Sequence, residues 1–380
     1  RNYPRGVNVP TGPVNGTRPY NGLPAAPAPE EYVRRGGDPN LLPLRLFSPN
    51  KRISQPMSRQ WTLGVQYQLG RDYVVKLDYI GTQGSNLVRE FEQNIGFNAP
   101  LGTGLRKDPT KGSILVGDGY ASSIYHAGQL TLEKRLSQTR VGDFTFNANY
   151  TWSAFISDSD DVLGGQANRT LPADPRNPKL DRARSGFDQP HRFVLSGVYV
   201  VPELFAGSPV MNRLLSGWEL SAITTLASGT PYTVLNANNA LGILPGQVAT
   251  ITDSQRVSIN PSGQFPLVTG VNANGTLINP NAYFIANRVN SGVVGTLGAN
   301  TLRTGGTINT DLSLVQNLKT FSEKQRLQLR WEMTDVFNRR NFTVIPANVA
   351  SDNTNLDLFL NLGQTNVAGR AMLFTARYFF

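Results

Sequence analysis

The sequence predicts an all-β transmembrane fold of about nine long antiparallel strands, and three observations carry that reading. The first is strict alternation of apolar and polar residues, over segments near the ~9–11 residues that a tilted strand needs to cross a bilayer. The second is the placement of aromatic residues at both ends of such segments, where rings sit at a water boundary. The third is a set of connections that alternate between short and long.

Residues 1–58 carry Pro4, Pro10, Pro19, Pro29, Pro43 and Pro56 among other prolines, which prevents a long helix or a central strand. They read as a Pro-rich extended arm or extracellular loop, and residues 59–380 as C-terminal barrel strands and loops. Trp61, Leu63, Val65, Tyr67 and Leu69 alternate with Thr62, Gly64, Gln66 and Gln68. After a tight turn, Tyr73, Val75, Leu77 and Tyr79 alternate with Val74, Lys76 and Asp78. Phe144, Phe146, Ala148, Tyr150 and Trp152 repeat the pattern, and weaker versions lie at 125–136, 191–200, 218–226 and 308–318. Between 326 and 338, Leu327, Leu329, Trp331, Met333 and Phe337 share one face. Gln328, Arg330 and Glu332 share the other and are expected to face a lumen. The last ten residues place Met372, Phe374, Ala376, Tyr378 and Phe380 at period 2, with nothing polar after them. Trp331, Phe374, Tyr378 and Phe380 are therefore the expected lipid-facing and terminal residues.

Short connections at 69–72, 137–142 and 320–325 and an intermediate one at 202–216 alternate with long ones at 81–123, 153–190, 228–307 and 339–369. In bacterial outer-membrane barrels the short side is periplasmic, so the ninth strand descends and Phe380 ends in the periplasm. A soluble sandwich would also alternate, but its strands are usually ~5–6 residues long and gain nothing from aromatic residues at both ends. Burial of Trp331, Phe374 and Tyr378 in a two-layer core would favour the sandwich.

With 39% hydrophobic residues in 380 and a mean hydropathy of −0.27, no run of about 18 apolar residues exists, which excludes a helical span. Barrel strands escape that measure because only alternate residues meet lipid. The absence of cysteine removes disulfide and thiolate chemistry. Two histidines beside no cysteine argue against a Zn or Fe site. The net charge of +10 is scattered over loops without a nucleic-acid reader motif, so lipid phosphates are the expected partner and nucleic acid is not. Arg1 opens the chain without an export signal, which for an exported protein implies processing or a preceding part.

The phrases Trp61-Thr62-Leu63-Gly64-Val65-Gln66, Tyr79-Ile80-Gly81-Thr82-Gln83-Gly84 and Leu132-Glu133-Lys134-Arg135 occur in that order. They are followed by Tyr150-Thr151-Trp152-Ser153, Ser185-Gly186-Phe187-Asp188-Gln189-Pro190-His191-Arg192-Phe193, Gly217-Trp218-Glu219-Leu220 and Ser228-Gly229-Thr230-Pro231-Tyr232. Asn300-Thr301-Leu302-Arg303, Asp335-Val336-Phe337-Asn338 and Gly369-Arg370 complete the series. In these the chain resembles TonB-dependent outer-membrane receptors of the Oar-like type, which carry a carboxypeptidase-regulatory-like domain before the plug. The resemblance covers only the C-terminal part of a 22-stranded, plugged barrel. It implies ligand uptake at the outer membrane of a Gram-negative (diderm) bacterium, with the TonB system and a missing N-terminal barrel and plug part, or a partner chain, as partners. A structural or scaffold subunit derived from such a receptor, without transport, is the competing expectation.

For specific chemistry, Asp181, Arg182, Arg184, Asp188, His191 and Arg192 form a mixed-charge loop able to meet an anionic or polyhydroxylated ligand through Arg pairs, or else a loop satisfied by its own Asp–Arg bonds. Ser185, Asp188 and His191 hold triad atom types without a nucleophile elbow, so no catalytic residue and no enzyme activity is expected. Asp158, Asp160 and Asp161 could ligate Ca²⁺ but lack the spacing of a calcium loop, and no cofactor or metal is expected.

Overall fold

The computed structural model describes residues 7–8, 45–50, 52–94, 114–139, 142–160, 171–174, 176–202, 207–233, 235–236, 256–259, 262, 270–271, 277–278, 284–285, 294–319, 325–343, 348–349, 364–365 and 369–380. Most of the 1–58 arm, Asp161 and much of the long connections fall outside these residues.

Among the described residues nine long strands follow one another in one antiparallel meander. They are β1 (Met57–Leu69), β2 (Tyr73–Glu92), β3 (Ile114–Thr139), β4 (Gly142–Ser157), β5 (His191–Val200), β6 (Trp218–Ala227), β7 (Thr307–Lys319), β8 (Arg326–Thr334) and β9 (Ala371–Phe379). Short strands join the same sheet at Val7–Asn8, at Arg45–Pro49, which runs parallel to the start of β3, and at Ala183–Arg184. Among the described residues β1 pairs only with β2 and β9 only with β8. The sheet is therefore not closed, and it forms a portion of a barrel wall.

Residues paired across neighbouring strands point to the same side, so the register shows how the sequence pattern is spent. One row reads Val65, Leu77, Leu130, Tyr150, Phe193, Leu226 and Ile308 across seven strands. A second reads Phe144, Tyr199, Leu220, Leu314, Trp331 and Phe374. On the opposite side, Gln66, Lys76, Thr131, Asn149, Val194, Thr225 and Asn309 line up in one row. A one-residue slip anywhere would mix the two faces.

Among the described residues nothing packs on the apolar side. Trp331 is 40%, Phe374 66% and Tyr378 49% exposed, and among the described residues the other sheets are pairs of two-residue strands. Among the described residues a buried two-layer core is thereby absent, and a band of this extent is what hydrocarbon solvates. Gln328, Arg330 and Glu332 lie on the polar side, where Gln328 donates to Asn317 at 3.1 Å and Arg330 to Glu332 at 2.6 Å. Lys76 and Glu133 pair there at 2.7 Å.

Aromatic rings mark the ends of the apolar band. Toward the short connections, the buried Lys134 holds its Nζ 3.8 Å from the centroid of the Phe144 ring and donates to Ser137 Oγ and Phe144 O at 2.9 Å. Toward the long connections, Tyr79 meets His126 Nδ1 and Tyr150 meets His191 Nδ1, each at 2.8 Å. Polar atoms on apolar rings are the chemistry of a membrane boundary.

Two expectations are corrected. The 81–123 connection is shorter than its sequence reads, because β2 runs on to Glu92 and β3 begins at Ile114. These extensions pair with each other through a register shift between Gly84 and Leu87, beyond the height where alternation is demanded. Phe337 does not continue the β8 face, since the strand stops at Thr334, Asp335 has a φ of 46° and Phe337 lies in the following turn.

The two faces predict a sharp contrast. Leu329→Arg, at the middle of β8 in the apolar band, is expected to cost about 2–4 kcal/mol, as charge at a bilayer midplane does. Gln328→Arg next to it is expected to stay within about 0.5 kcal/mol, like an ordinary surface change. Urea titrations of folding into lipid vesicles measure both, and equal losses would contradict the assignment of faces.

Candidate functional site

At the long-connection end, the segments above β2–β3, β4–β5 and β6–β7 close into one cap whose joints are buried carboxylates. Asp181 ends a short 3₁₀ turn at Pro178–Asp181. It accepts from Arg89 at 2.6 Å and Arg256 at 2.8 Å, and from the backbone N–H of Ala173 at 3.1 Å. Arg89 comes from the extension of β2 and is fully buried. A buried carboxylate of this kind holds its place only when charge and hydrogen bonds are both matched.

Asp188 repeats the device. Its carboxylate accepts from the Phe155 N–H at 2.7 Å, from Arg303 at 2.5 Å and from Arg184 at 3.4 Å, while Arg303 also donates to Gly229 O at 3.0 Å. A side chain at position 229 would collide with Thr304 O, whose distance from an ideal Cβ would be 1.9 Å, so glycine alone fits there. Asp160 accepts from the Ser157 and Ser185 hydroxyls, each at 2.9 Å, and from Asn300 Nδ2 at 3.1 Å. Asn300 sits at a φ of 52° and exchanges hydrogen bonds with Thr233. Beside them, burial raises the pKa of the Tyr232 hydroxyl.

The cap spends its carboxylates on itself and leaves guanidinium groups outside. Asp158 takes the Ser122 N–H and hydroxyl and Arg182. Asp158 and Asp160 are thus met by protein donors, and no group of three or more His, Cys, Asp or Glu able to hold a metal ion exists among the described residues. The side chains of Arg182 and Arg184 are 46% and 43% exposed, with Phe187 and Leu180 exposed near them. Such a surface offers charge-assisted donors to an anion or a polyhydroxylated ligand.

Of the six loop residues singled out from sequence, Asp181 and Asp188 become buried joints, whereas Arg182 and Arg184 reach the surface. His191 opens β5 on the apolar side, in register with Trp152, and Arg192 faces the other way. Ser185 Oγ donates to Asp160 and His191 pairs with Tyr150, so Ser185, Asp188 and His191 make no relay. Sequence reasoning missed Arg89 and Arg256, whose only signal is their distant pairing with Asp181.

The outer membrane beta barrel domain matches residues 1–372 of the chain. The chain belongs to the outer membrane beta barrel domain family. The barrel therefore sits in the outer membrane, with its short connections toward the periplasm and its cap toward the exterior by the rule for such proteins. Among solved structures, the outer membrane transporter YddB from Escherichia coli is similar at 7% identity and a TM-score of 0.46, over 88% of this chain and 33% of that one. The chain thus spans about a third of that transporter's length. No curated protein matches it.

Proposed function

We propose that the chain is the C-terminal barrel part of a TonB-dependent outer-membrane receptor of the Oar-like type, one that captures a ligand at its outer cap and performs no chemistry on it. The observation that carries this reading is the cap itself. Among the described residues Asp158, Asp160, Asp181 and Asp188 are engaged in joints, and the exposed charged ends at Arg182 and Arg184 are basic, which favours an anionic or polyhydroxylated ligand over a cation. The polar inner face with Gln328, Arg330 and Glu332 supports a role as the wall of a plugged or solvated lumen. Barrels of about 22 strands are wide enough to hold a plug, and the two unpaired edges accept the strands of an N-terminal part or of a partner chain.

In this mechanism the cap concentrates the ligand, and a plug supplied by the rest of the receptor moves under force from the inner membrane. The residues here provide wall and mouth, and the coupling lies elsewhere. The test is isolation of the native protein from outer membranes, followed by binding to the periplasmic domain of TonB. Recovery with a plug-bearing segment that binds TonB is expected. A plug-free preparation that ignores TonB would leave a scaffold subunit as the better reading.

A further inference from the structure

The outer face of β4, β5 and β6 is not flat. It contains a groove of about 500 Å³ lined by Phe144, Phe146, Leu195, Tyr199, Leu220 and Thr224, floored at Gly197 and Ala222. The register explains it. Phe146, Gly197 and Ala222 form one row, flanked by Tyr199 with Leu220 on one side and Leu195 with Thr224 on the other. Two small residues thus lie side by side between rows that carry larger ones. The floor is tight at Gly197, where a Cβ would stand 3.0 Å from Thr145 O and 3.3 Å from Phe146 Cβ. One wall is aromatic: the Phe144 and Phe146 rings lie nearly parallel with their centroids 6.4 Å apart, and the Lys134 ammonium sits on Phe144.

We propose that this groove binds one acyl chain of a phospholipid from the periplasmic leaflet as a held lipid, distinct from the exchanging lipids that wet the rest of the band. Its continuity with the hydrocarbon-facing side selects an acyl chain over a soluble ligand. Its height selects the leaflet. The floor of the groove, at Phe146, Gly197 and Ala222, lies in the halves of β4, β5 and β6 nearest the short connections. The Lys134 ammonium marks the head-group level at its Phe144 end, since buried amines reach for that boundary. From Tyr199 to Leu195 the groove runs about 13 Å along the strand, which accommodates the upper part of a chain that starts at that level. This site goes beyond capture at the cap and does not depend on it.

The experiment is native mass spectrometry of the protein isolated from outer membranes and exchanged into detergent, with phospholipid as the probe. Wild type is expected to keep one phospholipid through the exchange. Ala222→Phe, which fills the floor, is expected to retain roughly tenfold less, as excluding about two methylenes would do. Leu130→Phe, on the same band outside the groove, is expected to match wild type. Folding of each variant is checked by its heat-dependent gel shift. On wild-type protein a diazirine-bearing phospholipid is expected to label peptides around 144–146 and 197–199 above those around 63–67. Equal retention by wild type and Ala222→Phe, retention of lipid A in place of phospholipid, or uniform labelling of the band would each overturn the proposal.

Discussion

Removal of residues 370–380 is expected to abolish the heat-dependent gel shift of the protein in detergent. β9 meets β8 over nine aligned pairs, from Arg326 with Phe379 to Thr334 with Ala371. Without it, the N–H and C=O groups of β8 that face β9 lie bare in hydrocarbon, where each unmade hydrogen bond costs several kcal/mol. The loss also strips Trp331 of its partner Phe374 and Leu327 of Tyr378, cross-strand contacts each worth about 0.2–1 kcal/mol. The backbone term dominates. A truncated protein that still shifted on heating, with strand content unchanged by circular dichroism, would mean that β8 tolerates being an edge in lipid.

Asp181→Ala is expected to loosen the outer cap and leave the wall intact. The substitution takes the carboxylate from Arg89 and Arg256 together, and breaking a buried ion pair by removing one partner costs about 3–5 kcal/mol. Hydrogen exchange should accelerate in 171–190 and around Arg256, while amides in β5 to β9, held by their own ladders, keep their protection. A second change, Arg256→Ala on the Asp181→Ala background, should cost less than it does alone, because the pair is already broken and the bonds of Arg256 to Leu297 O and Leu180 O are left to lose. Undisturbed protection of 171–190 in Asp181→Ala would show that the cap is held by other joints, with Asp188 and Arg303 as the first suspects.

The wall was legible in the sequence wherever lipid imposes alternation. β1, β8 and β9 read directly because Leu63, Val65 and Tyr67, or Leu327, Leu329 and Trp331, cannot be placed otherwise, whereas β7 at 308–318 showed only a weaker alternation. The upper reaches of β2 and β3 were not legible, since Gly84 to Glu92 lies above the band, where neither face needs to be apolar and a bulge breaks the period. The cap was half legible. Asp181 and Asp188 stood out as charges in a short loop, but Arg89 and Arg256 lie 92 and 75 residues from Asp181 along the chain, and no local pattern announces such a pairing. His191 was grouped with the loop although its phase with Phe193 and Leu195 assigns it to the apolar side of β5.

Because neighbours alternate in direction and there are nine of them, β1 and β9 both descend from the exterior toward the periplasm. Bringing those two edges together would make a parallel seam. An all-antiparallel ring can be completed only by an odd number of additional strands, the first and last of them ascending. Any fusion, split complementation or designed closure of this wall must respect that count, whatever sequence supplies it.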